Sequence, residues 1–154
     1  MTDPAQIPIA DLLPHGPAAI VIDRLIAYDA TKSVAAVEVR LDSKFFAATG
    51  VPAWAGIEYM AQTIAAHVGF EARLRGASPV IGFLLGTRSY ECRVAEFPLG
   101  ARLAISAEAL FKETGFGAFN CSIACGTVLA TAIVNTYQPS DDAIARIRAR
   151  MARA

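Results

Sequence analysis

Most of the residues in this chain that could do chemistry lie in or near one stretch, Val51-Pro52-Ala53-Trp54-Ala55-Gly56-Ile57-Glu58-Tyr59-Met60-Ala61-Gln62. Glu58 and Gln62 stand four residues apart, so on a helix they share one face. Their surroundings are small and apolar: Ala55, Ala61, Ala65 and Ala66. A carboxyl group among apolar side chains is costly unless something pairs with it or uses it. A glutamate in a first helical turn can also serve only the helix, by complementing its dipole and unpaired N–H groups. The rest of the helix tips the reading toward a site. Ile57, Met60, Ala61, Ile64, Ala65 and Val68 recur at intervals of three and four, the spacing of an apolar stripe. Charges return only at Glu71, Arg73 and Arg75, so Glu58 sits at the end that other structure must wrap.

The chain has two histidines. His67 follows Glu58 by nine residues, which at about 100° per residue puts it on the opposite side of the helix. It reads as a packing residue with a local hydrogen bond. His15 lies in Leu12-Leu13-Pro14-His15-Gly16-Pro17, a loop stiffened by two prolines between a short N-terminal helix and the first strand. Loops held on a scaffold often carry functional side chains, although a loop-stabilising histidine fits the same residues. No phosphate loop, dinucleotide fingerprint, zinc signature or Gly-x-Ser-x-Gly elbow occurs. Cys92, Cys121 and Cys125 lack metal spacing; Cys121 and Cys125 read as same-face strand residues packing as small hydrophobes.

These residues must be positioned by one domain, for 154 residues suffice for a single sizeable core. Hydrophobic residues make up 55% and charged residues 18%, so apolar surface should be hidden in an oligomer or in a ligand tunnel. The formal net charge of zero gives no field to recruit nucleic acid or an anionic membrane. Met1 to Ala10 lacks a secretion signal's basic cluster, and no apolar run reaches membrane-spanning length, so a cytoplasmic, reduced setting is expected.

Two strands are expected before the helix, at 18–28 and 33–41, with Ala35, Val37, Val39 and Leu41 on the buried face of the second. Gly76-Ala77-Ser78-Pro79 ends the helix, and strands follow at 80–94, 102–112, 115–125 and 127–138. Gly115-Phe116-Gly117 and Cys125-Gly126-Thr127 mark hairpins. Strand, strand, long helix and then consecutive strands is an α+β pattern, most simply an antiparallel sheet curled around one central helix. Ser140-Asp141-Asp142 caps a C-terminal helix or tail over 140–154. Its Arg146, Arg148, Arg150 and Arg153 face either water or an acidic partner.

Leu13-Pro14-His15-Gly16-Pro17 followed by Ile20-Val21-Ile22-Asp23-Arg24 resembles the opening of the 3-hydroxyacyl-ACP dehydratases. Glu58-Tyr59-Met60-Ala61-Gln62 resembles their helix motif, an acid followed four residues later by glutamine. Phe97-Pro98-Leu99-Gly100-x-x-Leu103, Gly115-x-Gly117-x-Phe119 and Gly126-x-x-x-Ala130 resemble their later hairpins. The likeness runs from about 12 to 138 and is strongest to the variant dehydratases of aryl-polyene clusters, which carry a Trp before the acid. It implies a hotdog fold, with a curved antiparallel sheet around one long helix and with paired subunits. One departure stands out. The family's Gly-His-Phe-Pro segment, source of its catalytic histidine, is replaced by Phe45-Phe46-Ala47-Ala48-Thr49-Gly50-Val51-Pro52.

The resemblance therefore implies a hydro-lyase that converts a 3-hydroxyacyl thioester on acyl carrier protein or CoA to an enoyl thioester, without cofactor or metal. Such a reaction needs a base for the proton beside the carbonyl, an acid for the departing hydroxyl and donors for the enolate oxygen. Glu58 is the expected acid, with Gln62 orienting it and contacting substrate alongside Trp54. Backbone N–H groups of Ala53 to Gly56 are expected to face the carbonyl oxygen. The family's base carries over to no residue, which leaves His15, within the subunit or across a homodimer or heterodimer. Phe45, Phe46, Trp54, Phe83 and Phe116 either line the substrate tunnel or form ordinary core. Two alternatives stay open: a catalytically silent hotdog subunit that pairs with an active dehydratase, and a thioesterase acting on acyl-CoA or acyl-ACP.

Overall fold

The computed structural model describes residues 2–79 and 82–153, and all but the side chain of Phe83 within them. Its centre is helix α1 (Gly56–Leu74). Around it runs a sheet built from β1 (Arg24–Tyr28), β2 (Lys32–Glu38), β4 (Phe83–Cys92), β6 (Arg102–Glu113), β7 (Phe116–Cys125) and β8 (Thr127–Tyr137). The strand order is β1-β2-β6-β7-β8-β4, and every neighbouring pair is antiparallel. A second, two-stranded sheet pairs β3 (Gly50–Pro52) with β5 (Glu96–Pro98) beside the start of α1. Helix α2 (Asp141–Arg153) follows the last strand. This is the wrapped-helix, α+β arrangement expected of a hotdog domain.

Alternation along the strands turns one face to the helix. Ser33, Ala35 and Val37 of β2, Leu103, Ile105 and Ala107 of β6, and Phe119, Cys121 and Ile123 of β7 are all buried. The register is pinned at the turns. Thr114 and Gly115 both take positive φ between β6 and β7, as a two-residue primed turn requires. The Asp29 carboxylate accepts from the Thr31 and Lys32 amides, at 2.8 and 2.9 Å, between β1 and β2. The expected stripe on α1 divides in two. Tyr59, Met60, Thr63, Ala66, His67 and Phe70 are buried. Ala61, Ala65 and Val68 are only half-buried and share a lateral face with Glu58.

Several expectations are corrected. Residues 18–22 are not strand: Pro17–Ala19 forms a 3₁₀ turn and pairing begins at Arg24, because Pro17 breaks the ladder and the following backbone bonds to a side chain instead. The short N-terminal helix is two 3₁₀ turns, Pro4–Gln6 and Ile9–Asp11. Leu41 is exposed, since β2 ends at Glu38. Cys121 is buried, with its thiol pushed up to about 12 by burial, but Cys125 at the end of β7 is exposed. The run expected as one strand over 80–94 is β4, with Val80 and Ile81 outside the described residues.

Candidate active site

Glu58 stands in the first turn of α1, half-buried, with its Oε1 accepting from Gln62 Nε2 at 2.8 Å. Gln62 is completely buried and its amide is fully engaged. Its Oε1 accepts from the Val21 amide at 2.8 Å, and its Nε2 donates also to the Ala19 carbonyl at 2.8 Å. The side chain thus does for the 19–21 segment what a neighbouring strand would do. Those bonds also fix which end of the amide faces Glu58. Val21 offers only a hydrogen and Ala19 only an acceptor, so the NH₂ group must point at the carboxyl. Glu58 Oε2 takes no hydrogen bond from the described residues.

The same construction delivers His15. Leu12 and Leu13 are buried, and Gly69 lets the chain cross α1 closely: a Cβ there would stand 1.9 Å from the Leu12 carbonyl oxygen. Pro14 and Pro17 then restrict the loop on both sides of His15. The ring ends in a cleft of about 160 Å³ that Glu58 also lines, with Ala61, Ala65 and Val68 from α1, Leu84 from β4 and Tyr137 from β8. Its Nδ1 is buried and has no hydrogen-bond partner among the described residues. Buried polar atoms are almost always paired, so this nitrogen sets His15 apart from the other polar side chains of the described residues.

Other expected residues fall elsewhere. Trp54 is 60% exposed and packs edge-on to Phe45, outside the cleft. The Ala53 amide donates to the Ala95 carbonyl at 3.0 Å, and its carbonyl accepts from the Tyr90 hydroxyl. The Gly56 amide donates to the carbonyls of Ala53 and Trp54. Neither of these two N–H groups is therefore free for an acyl oxygen: the Gly56 amide closes the turn that starts the helix, and the Ala53 amide ties that turn to residue 95 beside β5. Gly56 has a packing role, since a Cβ there would meet the Tyr90 hydroxyl and Ile123. The sequence reading missed Tyr137, Thr136 and Gln138, which wall the cleft from the end of β8. Nothing in a strand terminus announces that role.

His67 lies away from the cleft, as its spacing from Glu58 requires. Its Nδ1 is 2.6 Å from Ser33 Oγ, and its Nε2 is 3.4 Å from both Glu71 Oε1 and Lys112 Nζ. The order Ser33, His67, Glu71 imitates a nucleophile relay, but Ser33 is wholly buried and lines none of the described cavities. This cluster is structural. Burial is the main reason that the imidazole is held below its ordinary value.

The sequence matches a dehydratase family described as ApeP-like, ApeP dehydratase, over residues 7–147. Among solved structures, the dehydratase heterocomplex ApeI:P from Xenorhabdus doucetiae contains a chain 31% identical with a TM-score of 0.84. That match covers 92% of this chain and 97% of the other. The PaaI protein of the E. coli phenylacetic acid degradation operon superposes at a TM-score of 0.61 and 12% identity, covering 80% and 83% of the two chains. A hypothetical thioesterase of Streptococcus pneumoniae solved with coenzyme A gives 0.60 and 13%, covering 75% and 84%. At those identities the last two speak for the fold alone. No curated protein matches the sequence.

Proposed function

This chain belongs to the ApeP-like dehydratase family, and from that premise we propose that it eliminates water from a 3-hydroxyacyl thioester, with His15 as base and Glu58 as acid. The observation that supports this reading is that Glu58 and His15 line one cleft, with His15 Nδ1 lacking a hydrogen-bond partner among the described residues. His15 takes the proton from the carbon beside the thioester carbonyl. The electron pair left behind forms the carbon–carbon double bond, and the hydroxyl leaves with the proton held on Glu58 Oε2. One water is lost, and transfer of a proton from His15 back to Glu58 resets the pair. Gln62 acts as a positioning residue, turning Oε2 toward the substrate and tying the 19–21 segment to α1.

Other observations support action beside a second hotdog subunit. The Xenorhabdus relative is part of a dehydratase heterocomplex. In this chain β4 is an edge strand, bonded only to β8, and Leu84 and Leu85 on it are 45% and 56% exposed. Leu84 also lines the cleft. A subunit laid along β4 would cover those leucines and close the cleft over Glu58. The same observation favours a second reading, in which this chain is the silent half of a pair.

The test is to incubate the chain, alone and with a partner hotdog subunit, with a 3-hydroxyacyl thioester on acyl carrier protein and to follow water loss by mass. Enoyl product that disappears with Glu58→Gln or His15→Ala in this chain supports the active reading. Product that needs the partner and survives both substitutions would establish the silent one. Free acid and free thiol would replace both with thioester hydrolysis.

A further inference from the structure

Helix α2 is made of residues that the proposed chemistry does not use. Its Arg146, Arg150 and Arg153 recur at i, i+4 and i+7, which puts three guanidinium groups on one face. Arg148 falls on the other side. Among the described residues no carboxylate is within ion-pair distance of any of them. The helix dipole favours cations in the last turn, which explains Arg150 and Arg153 singly but not a stripe that begins at Arg146. Like charges one turn apart repel; Asp142 precedes Arg146 by one turn on this face, but Arg150 and Arg153 have no acidic neighbour on their own helix. Four of the chain's 14 basic residues stand in these last turns, and the remainder of the chain carries the compensating negative charge.

The position of the stripe supplies the second observation. Arg146 and Arg150 line a groove with Ile147, Pro139 and Tyr137. Tyr137 also walls the cleft that holds Glu58 and His15. Between the two lies a further depression, lined by Phe116 and Phe119, which shares Val68, Thr136, Tyr137 and Gln138 with the cleft. The three depressions adjoin at Tyr137, between α2 and the part of α1 that carries Glu58. The helical rise makes Val68 about 15 Å from Glu58 along the axis, a length suited to a long flexible arm and not to a small free substrate.

We propose that the Arg146–Arg150–Arg153 face of α2 docks the acidic surface of the protein that delivers the acyl thioester, so that its arm passes Tyr137 and Val68 to reach Glu58. The inference rests on the dehydratase reading and names the partner of the same site. Two apolar residues of α2, Ala143 and Ile147, line the groove with Tyr137 and Pro139. Three guanidinium groups on one face suit an acidic protein surface.

The experiment titrates fluorescently labelled holo acyl carrier protein, bearing no acyl group, with the full chain and with an Arg146→Glu/Arg150→Glu/Arg153→Glu variant. Affinity should fall by about tenfold or more in the variant, and added salt should weaken the wild type more steeply, as for other steered charged interfaces. Arg148→Glu, a charge reversal on the opposite face, should cost about twofold or less. Equal binding by wild type and triple variant would overturn the proposal, as would no binding by the wild type. Tighter binding to anionic vesicles or to an oligonucleotide than to the carrier would overturn it equally. Failure here is separable from failure of the dehydratase reading: water loss from carrier-bound substrate that ignores the triple substitution removes only the docking face. Arginine-dependent docking without water loss removes only the chemistry.

Discussion

Gln62 shows how a single side chain can serve both fold and site. Replacing it with leucine keeps the volume but leaves the Ala19 carbonyl and the Val21 amide without partners. The expected loss is about 1–3 kcal/mol in denaturant unfolding, the cost of unpaired buried polar groups. The same change frees Glu58 to rotate, so turnover should fall even at temperatures where the variant is folded. A Gln62→Leu protein as stable as the wild type would show that the 19–21 segment is held by something else. Glu58 and Gln62 were legible because their spacing is fixed by helix geometry. The further duty of Gln62 toward residues 19 and 21 was not, because those bonds cross more than forty positions of sequence. Trp54 was singled out by the family resemblance, yet the structure leaves it on the surface.

At the scale of elements, α1 presents different faces to the sheet, to the N-terminal crossing and to the cleft. The crossing at Gly69 predicts that Gly69→Ala, usually favourable in a helix, is harmful here. The added methyl meets the Leu12 carbonyl, and overpacking of this kind costs about 1–3 kcal/mol. Because Leu12 leads directly to His15, activity should drop further than thermal stability alone explains; an unchanged rate would dissociate the crossing from the site. His67 on the buried side sets a pH dependence. Burial disfavours its charged form, so the unfolded chain takes up a proton at a higher pH than the folded one does. Stability from this group is complete above about pH 6.5 and is lost as pH falls below that value. Chemical unfolding across this window should show a slope that shrinks in His67→Asn. The division of α1 into faces was only partly readable, since alanine serves equally in a core and along a cleft. Strands β3 and β5, three residues each, carry too short a pattern to be seen at all.

For the molecule as a whole, the high apolar content pointed to surface hidden by something outside the protomer. The structure locates part of it on β4, an open edge with exposed leucines. Edge strands are ready templates for another chain. Leu85→Lys should therefore weaken association with a second hotdog subunit by about tenfold or more while changing the stability of the isolated chain by about 0.5 kcal/mol or less. Light scattering of the mixture and unfolding of the single chain measure the two quantities; unaltered assembly would move the interface away from this edge. The sheet, its hairpins and the central helix were legible from periodicity and turn residues. That His15 lines one cleft with Glu58 was not, because the placing of a loop against a helix depends on the intervening 3₁₀ turns and on the crossing at Gly69. The proposed chemistry nevertheless depends on that shared cleft. Its most direct test is the rate of enoyl-thioester formation by the wild type, Glu58→Gln, His15→Ala and the double variant, each shown to be folded. The account predicts that each single change lowers the rate by about 10²–10⁴-fold and that the double variant is no slower than the worse single one. A His15→Ala protein that eliminates water at the wild-type rate would contradict it.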